Sequence, residues 1–111
     1  MVTLRSNPFG SETRTRALLT LGMLGESYAR EITRVMGASL FGVQSALKSL
    51  ERDGLVVART MGRTRVYSLN PRYFALAELK AYVARLAEVE RGLRASAEQV
   101  RKRPRRTGKP L

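Results

Sequence analysis

A short polar segment carries side chains suited to recognising another molecule. Gln44, Ser45 and Lys48 lie within "SLFGVQSALKSLERDGLV", between apolar residues spaced three or four apart. A glutamine amide can offer a paired donor and acceptor to an adenine edge, and a serine hydroxyl can meet a base or a phosphate. A lysine ammonium at this position meets phosphate, which positions a protein without specifying sequence. This segment therefore predicts contact with a nucleic acid.

A second segment concentrates guanidinium groups. In "ARTMGRTR", Arg59, Arg63 and Arg65 surround Gly62, which indicates the tip of a hairpin. Arginine is favoured along a DNA backbone and in a narrow minor groove. The alternative is an ordinary solvated hairpin, and the basic character of the whole chain favours the DNA role.

Other kinds of chemistry have little support. The chain has no cysteine and no histidine, so disulfides, thiolate or imidazole metal ligands and histidine acid–base catalysis are excluded. The carboxylates of Glu26, Glu31, Glu51 and Asp53 show no clustered spacing, and we interpret them as caps and ion-pair partners on solvated faces. The sequence predicts no enzymatic activity and no cofactor.

The charge favours a polyanionic partner. The 111 residues hold 21 basic against 9 acidic side chains, for a net charge of +12. The segment Arg101–Leu111 contributes +6, and the rest of the chain, with fifteen basic and nine acidic residues, contributes the other +6. DNA, RNA or an acidic membrane surface would attract such a chain. No apolar run suits a membrane span or a signal peptide, so we expect a soluble cytoplasmic protein associated with the nucleoid.

Three helices are predicted before the hairpin. Ser11 is a good N-cap for a helix over 12–24, and Ser27 for a helix over 28–36 that stops at Gly37. Ser39 follows at once and can cap a third helix over 40–52. Two short helices separated by "GAS" form a helix-turn-helix pattern.

The third helix is predicted to have one buried and one exposed face. Its apolar side consists of Leu40, Val43, Leu47 and Leu50. Phe41 has two open interpretations, contact with a thymine methyl group or burial in the core. The predicted DNA-contacting residues of this helix are Ser39, Leu40, Phe41, Gln44, Ser45, Lys48 and Arg52. Those of the hairpin are Arg59, Arg63 and Arg65.

The segments after the third helix read as two strands and one long helix. The first strand, "LVVAR", should place Leu55 and Val57 on one face, and "RVYSL" returns. Asn70 and Pro71 suit the start of a helix over 71–100 with a heptad seam. Such a seam favours a homodimer, although the helix could pack on its own domain instead. The predicted dimerisation residues are Leu76, Leu79, Val83, Leu86, Val89 and Leu93.

The segments "FGSETRTRALLTLG" and "YAREITRVMGASLFGVQSALKSLERDGLVVARTMGRTRVYSLNP" together resemble the ArsR-like winged-helix family of transcriptional regulators. The resemblance covers about residues 9–82 and is closest to winged helices found alone or ahead of small nucleotidyltransferase domains. It implies a dimer that binds palindromic operators, with residues 39–48 in the recognition helix. Metal-sensing relatives use cysteine and histidine, which this chain lacks. No nucleotidyltransferase domain follows, so that activity is not expected.

Together these patterns predict a mostly α protein with a small β-hairpin. The expected parts are an N-terminal arm (1–10), a winged helix-turn-helix (11–70), a C-terminal dimerisation helix (71–100) and a disordered basic tail (101–111). The expected function is a dimeric, sequence-specific DNA-binding regulator that represses transcription, with an effector that the sequence does not identify. The alternatives are a winged-helix protein adaptor and an architectural DNA- or RNA-binding protein.

Overall fold

Helices dominate the chain and surround one small sheet. The computed structural model describes residues 7–102, except for the side chains of Arg91 and Lys102. The predicted residues 1–6 of the N-terminal arm and 103–111 of the basic tail lie outside this range. The elements are α1 (Glu12–Leu24), β1 (Glu26–Tyr28), α2 (Ala29–Met36), α3 (Leu40–Arg52), β2 (Val56–Met61), β3 (Thr64–Leu69), α4 (Leu76–Val89) and α5 (Arg91–Lys102). This arrangement confirms the predicted class, mostly α with a small β-hairpin.

Local capping sets the bounds of the first and third helices. The Ser11 hydroxyl accepts a hydrogen bond from the backbone N–H of Arg14 at 3.1 Å. The Ser39 hydroxyl does the same for Gly42 at 3.0 Å. Gly37 ends α2 in the left-handed conformation, with φ 66° and ψ 30°, which glycine adopts without the steric cost of a Cβ. The predicted bounds of α1 and α3 are confirmed.

The sheet has one strand more than predicted. Ser27 does not cap α2; it lies in β1 and pairs with Tyr67 of β3, so the sheet order is β1-β3-β2 and both pairings are antiparallel. The Ser27 side chain is buried and its hydroxyl hydrogen-bonds to Glu31 at 2.5 Å. Glu31 is itself only 4% exposed, so the interpretation that it lies on a solvated face is wrong. β1 adds a third strand to the sheet, and this stabilises the hairpin, because an isolated two-stranded hairpin is only marginally stable in water.

The hairpin turns at the predicted place, and the face of β2 that carries Val56 is the one that packs on the core. Met61 pairs with Thr64, which leaves Gly62 and Arg63 as a two-residue turn. Val56 is buried, whereas Leu55 and Val57 are only half-buried, so the predicted face with Leu55 and Val57 is not the one turned to the core. The reason is the register: Ala58 pairs with Tyr67, the buried residue of β3, and residues two apart on a strand share a face.

The C-terminal region departs most from expectation. Asn70 does not cap a helix; its side-chain amide donates to the carbonyl of Gly54 at 2.9 Å and its Oδ1 accepts from the backbone N–H of Arg72. This turn holds the base of the hairpin, and α4 begins only at Leu76. The helix then ends at Val89, and Glu90 takes a non-helical conformation, with φ −99° and ψ 76°, before α5. The prediction of one helix over 71–100 is wrong.

The helix divides because α5 folds back onto the body of the protein. It packs against α1 and α2, and Leu93, Ala97 and Val100 are buried there. In α4, Leu79 and Val83 are buried as well, and Leu76, Leu86 and Val89 are half-buried. The heptad seam therefore packs within its own chain, the alternative that its periodicity left open.

Close packing of α4 on α1 depends on one glycine. A Cβ added at Gly22 would collide with Cγ1 of Val83. The two helices can approach at this point only because residue 22 has no side chain. Ala17, Leu18, Leu19 and Leu21 of α1 are fully buried, so α1 forms the centre of the core and is enclosed by its neighbours.

Candidate nucleic-acid interface

One side of α3 forms a continuous exposed stripe. Phe41, Gln44, Ser45, Lys48 and Arg52 are all exposed. Phe41, Ser45, Lys48 and Arg52 follow one another at spacings of three or four residues, and Gln44 lies beside Ser45, so all five share one face of the helix. The predicted outward face of α3 is confirmed, and the alternative that Phe41 packs in the core is wrong because its exposed fraction is 81%. We call these five residues the α3 stripe.

Two other predicted residues of α3 have structural roles. Ser39 is exposed, but its hydroxyl already caps the helix. Leu40 is half-buried, so only part of its side chain is available to a partner. A ligand approaching the helix would therefore meet the α3 stripe before either of them.

The inner face of α3 fixes the direction of the stripe. Val43, Leu47 and Leu50 are fully buried in the core. Buried, interdigitated side chains hold a helix at one rotation, since turning it would expose them and break close packing. The stripe therefore faces one fixed direction, and its exposed side chains extend from a rigid backbone.

A guanidinium clamp holds the last turns of α3. Arg14 of α1 pairs with Asp53 at 2.8 Å, donates to the hydroxyl of Ser49, and donates through Nε to the carbonyl of Phe9 at 2.6 Å. The Arg14 side chain is 16% exposed and that of Asp53 is 52% exposed, so the pair is shielded from water mainly on the arginine side. Arg14 could not be identified from the sequence, because Ser49 and Asp53 lie far along the chain and only folding brings them to it.

The three predicted arginines of the hairpin are not equivalent. Arg59 pairs with Glu26 of β1 at 2.7 Å, and Arg65 pairs with Glu51 of α3 at 2.8 Å. Arg63, at the turn, forms no ion pair with any residue in the range 7–102. Its guanidinium is therefore available to a partner, whereas each of the other two is already paired with a carboxylate.

The ion pair of Arg65 also joins the hairpin to α3. The guanidinium donates a hydrogen bond to the Glu51 carboxylate, and it lies 5.8 Å from the ring centroid of Tyr67. Hydrogen bonding to Glu51, and to a smaller extent to the Tyr67 hydroxyl, raises the pKa of Arg65 above its ordinary value. Because Glu51 directly precedes Arg52, the basic hairpin lies beside the C-terminal turn of the α3 stripe.

Two further exposed cations, both on α2, were not predicted as part of the surface. Arg30 and Arg34 lie one turn apart on α2, and both are exposed. Neither pairs with a carboxylate in the described part of the chain. Their spacing of four residues places them on one face of a helix, a signal that was available in the sequence.

The described residues contain no cluster of metal-ligating side chains at this surface or elsewhere. No set of three or more histidine, cysteine, aspartate or glutamate side chains in residues 7–102 is arranged to hold a metal ion. Among the helices of the same range, none is both long and apolar enough to cross a membrane. What the surface can do chemically is donate hydrogen bonds, accept them at Gln44 and Ser45, and neutralise anions. Comparisons with protein families, curated proteins and solved structures find no match to this chain.

Proposed function

We propose that this protein is a sequence-specific, double-stranded DNA-binding transcriptional regulator of the winged-helix type. The observation that carries the proposal is the α3 stripe, a fixed, exposed face with hydrogen-bonding groups at its centre and two cations, Lys48 and Arg52, at its C-terminal end. An α-helix fits the major groove of B-DNA, where base edges present distinct donor and acceptor patterns. In this proposal α3 is the recognition helix and the β2–β3 hairpin is the wing.

In this proposal the residues of the surface fall into two groups, those that contact base edges and those that contact the DNA backbone. Gln44 and Ser45 meet base edges, while Lys48, Arg52 and Arg63 meet phosphates. Phosphate contacts supply affinity and orientation, whereas contacts to base edges supply sequence preference. Arg59 and Arg65 act mainly by holding the wing against β1 and α3, in agreement with their ion pairs to Glu26 and Glu51.

We further propose that the protein acts as a homodimer in the cytoplasm, at the nucleoid, and represses transcription without enzymatic activity. Two copies bound to a palindrome would double the base contacts, and a bound dimer would exclude other proteins from the same DNA. Since Leu79, Val83 and Leu93 are buried within one chain, a second copy would first meet the half-buried Leu76, Leu86 and Val89 of α4.

Two alternatives use the same surface differently. An architectural protein would bind DNA or RNA through its charge alone, and an adaptor would bind an acidic protein. The hydrogen-bonding centre of the α3 stripe favours the regulator, because a purely electrostatic contact has no use for Gln44. Selection of bound fragments from a random DNA pool separates the three: a palindromic consensus, strong binding without a consensus, or no binding.

The direct test compares Gln44→Ala with the wild-type protein on two DNAs, the selected sequence and a random duplex. We expect a loss of about 1–3 kcal/mol on the selected sequence and little change on the random duplex, because Gln44 contributes only to base reading. The preference should flatten at one position in each half-site. If Gln44→Ala keeps both the preferred sequence and the ratio of its affinity to that for random DNA, α3 does not recognise the base sequence.

A further inference from the structure

Phe41 occupies a place in the α3 stripe that hydrogen bonding and charge do not explain. Its side chain is 81% exposed in the first turn of α3. A single exposed apolar side chain is ordinary on a protein surface, so exposure alone means little. What distinguishes Phe41 is its alignment with Gln44, Ser45, Lys48 and Arg52 on one face of one helix.

The stripe has a direction along the helix axis. It runs from an aromatic ring at residue 41, through hydrogen-bonding groups at 44 and 45, to cations at 48 and 52. At a rise of about 1.5 Å per residue it is about 16 Å long. The cations at the C-terminal end, next to the wing, are drawn to the phosphate backbone. The N-terminal end of α3 then lies deepest in the groove.

The major groove offers one apolar group to a side chain at that depth. This group is the methyl on C5 of a pyrimidine, present on thymine and on 5-methylcytosine and absent from uracil and cytosine. We infer that Phe41 reads a C5-methyl group in the major groove and thereby makes recognition depend on a methylated pyrimidine. This inference rests on the proposed function and adds the chemical class of base that the protein selects.

The helix geometry also fixes where that base lies. Phe41 and Gln44 are three residues apart, about 4.5 Å along the helix axis. Successive base pairs are about 3.4 Å apart along the duplex. Whatever the tilt of the helix axis, this separation keeps the methylated pyrimidine within about two base pairs of the position that Gln44 reads.

The test uses the full chain and the duplex selected from a random pool. Each thymine is replaced in turn by deoxyuridine, which removes only the C5-methyl group, and the Kd is measured for wild type, Phe41→Ala and Phe74→Ala. Phe74 is a matched control, because it is 92% exposed and lies outside α3. Wild type should bind about fourfold more weakly at one deoxyuridine position per half-site, the effect of losing one buried methyl group.

The variants decide whether Phe41 is responsible. Phe41→Ala should bind thymine and deoxyuridine equally at that position, while Phe74→Ala should discriminate as wild type does. A second arm places cytosine or 5-methylcytosine there, paired with guanine. A gain on methylation in wild type and Phe74→Ala, but not in Phe41→Ala, supports the inference, and no gain in wild type overturns its extension to 5-methylcytosine.

Three results overturn the inference while leaving the proposed function intact. These are a wild type that tolerates deoxyuridine at every position, a Phe41→Ala variant that still discriminates, and a Phe74→Ala variant that loses discrimination equally. A random pool that yields no preferred sequence overturns the proposed function, and the inference with it. The thermal unfolding curve of Phe41→Ala should match wild type, since little of this side chain is buried.

Discussion

Helices α3 and α4 are nearly equal in length, and both bury an apolar face, yet their outward faces differ. The α3 stripe carries an aromatic ring, two hydrogen-bonding groups and two cations, with no acid among them. The outward face of α4 carries exposed alanines and two charges of each sign, with Arg85 paired to Glu88 at 2.8 Å. The field over α4 is therefore nearly neutral, whereas that over α3 is positive.

This difference shows that net charge does not locate a binding surface. The chain is basic as a whole, but several arginines are compensated: Arg14, Arg59, Arg65 and Arg85 each pair with a carboxylate. An exposed cation matters for a polyanion when no neighbouring carboxylate cancels its field. Among the cations that pair with no carboxylate in the described residues, Lys48, Arg52 and Arg63 lie on α3 and at the wing tip, and Arg30 and Arg34 lie on α2.

The difference between α3 and α4 requires that α4 and α5 pack on their own chain and do not form a dimer interface. Leu93→Ala should lower the free energy of unfolding by about 2–5 kcal/mol, because it leaves a cavity where a leucine was fully buried. Chemical denaturation measures this. Ala95→Ser, on the exposed side of α5, is the control and should change stability by less than about 0.5 kcal/mol. A stable fold with a smaller solution mass would instead place Leu93 between two copies.

Removing residues 103–111 tests how much of the affinity for DNA comes from net charge. This segment holds four basic residues and no acid. Deleting it should weaken binding to selected and random DNA by a similar factor and lower the salt slope by up to about 0.9 for each of the four lost cations. Fluorescence anisotropy at several salt concentrations measures both quantities. A loss confined to the selected sequence would mean that this segment reads bases.

A matched pair of cations compares the two helices directly. Lys48→Ala removes a cation from the α3 stripe, and Arg85→Ala removes one from the outward face of α4. Lys48→Ala should weaken binding to both DNAs and reduce the salt slope by about 0.9, whereas Arg85→Ala should leave affinity and slope unchanged. Equal effects would show that DNA responds to total charge, and the distinction between the two faces would be lost.

The smallest expected effect is the difference between two arginines of the wing. Arg63→Ala should lower the salt slope by about one per protomer, because this guanidinium has no competing carboxylate in the described structure. Arg59→Ala should lower it less, because Glu26 already neutralises Arg59. The difference between the two variants, measured in one salt titration, is the quantity of interest. If Arg59→Ala has the larger effect, its ion pair opens on DNA.

The sequence by itself determined the features that depend on near neighbours. Ser11 and Ser39 cap α1 and α3 through the backbone N–H three residues on, and Gly37 ends α2. The apolar spacing of α3 alone predicted that Gln44 would be exposed. Each of these features depends on a contact within one or two helical turns, and such contacts can be identified from the spacing of residues.

Tertiary structure decided the features that depend on which partner covers a face. The apolar residues of a heptad seam must pack against an apolar neighbour, and in this protein α1 and α2 provide it. The helix is therefore interrupted at Glu90, and α5 folds back onto them. The same holds for β1, for the inward turn of Val56, and for the carboxylates that compensate Arg59 and Arg65. Periodicity defines a face that must be covered, and only the folded chain determines what covers it.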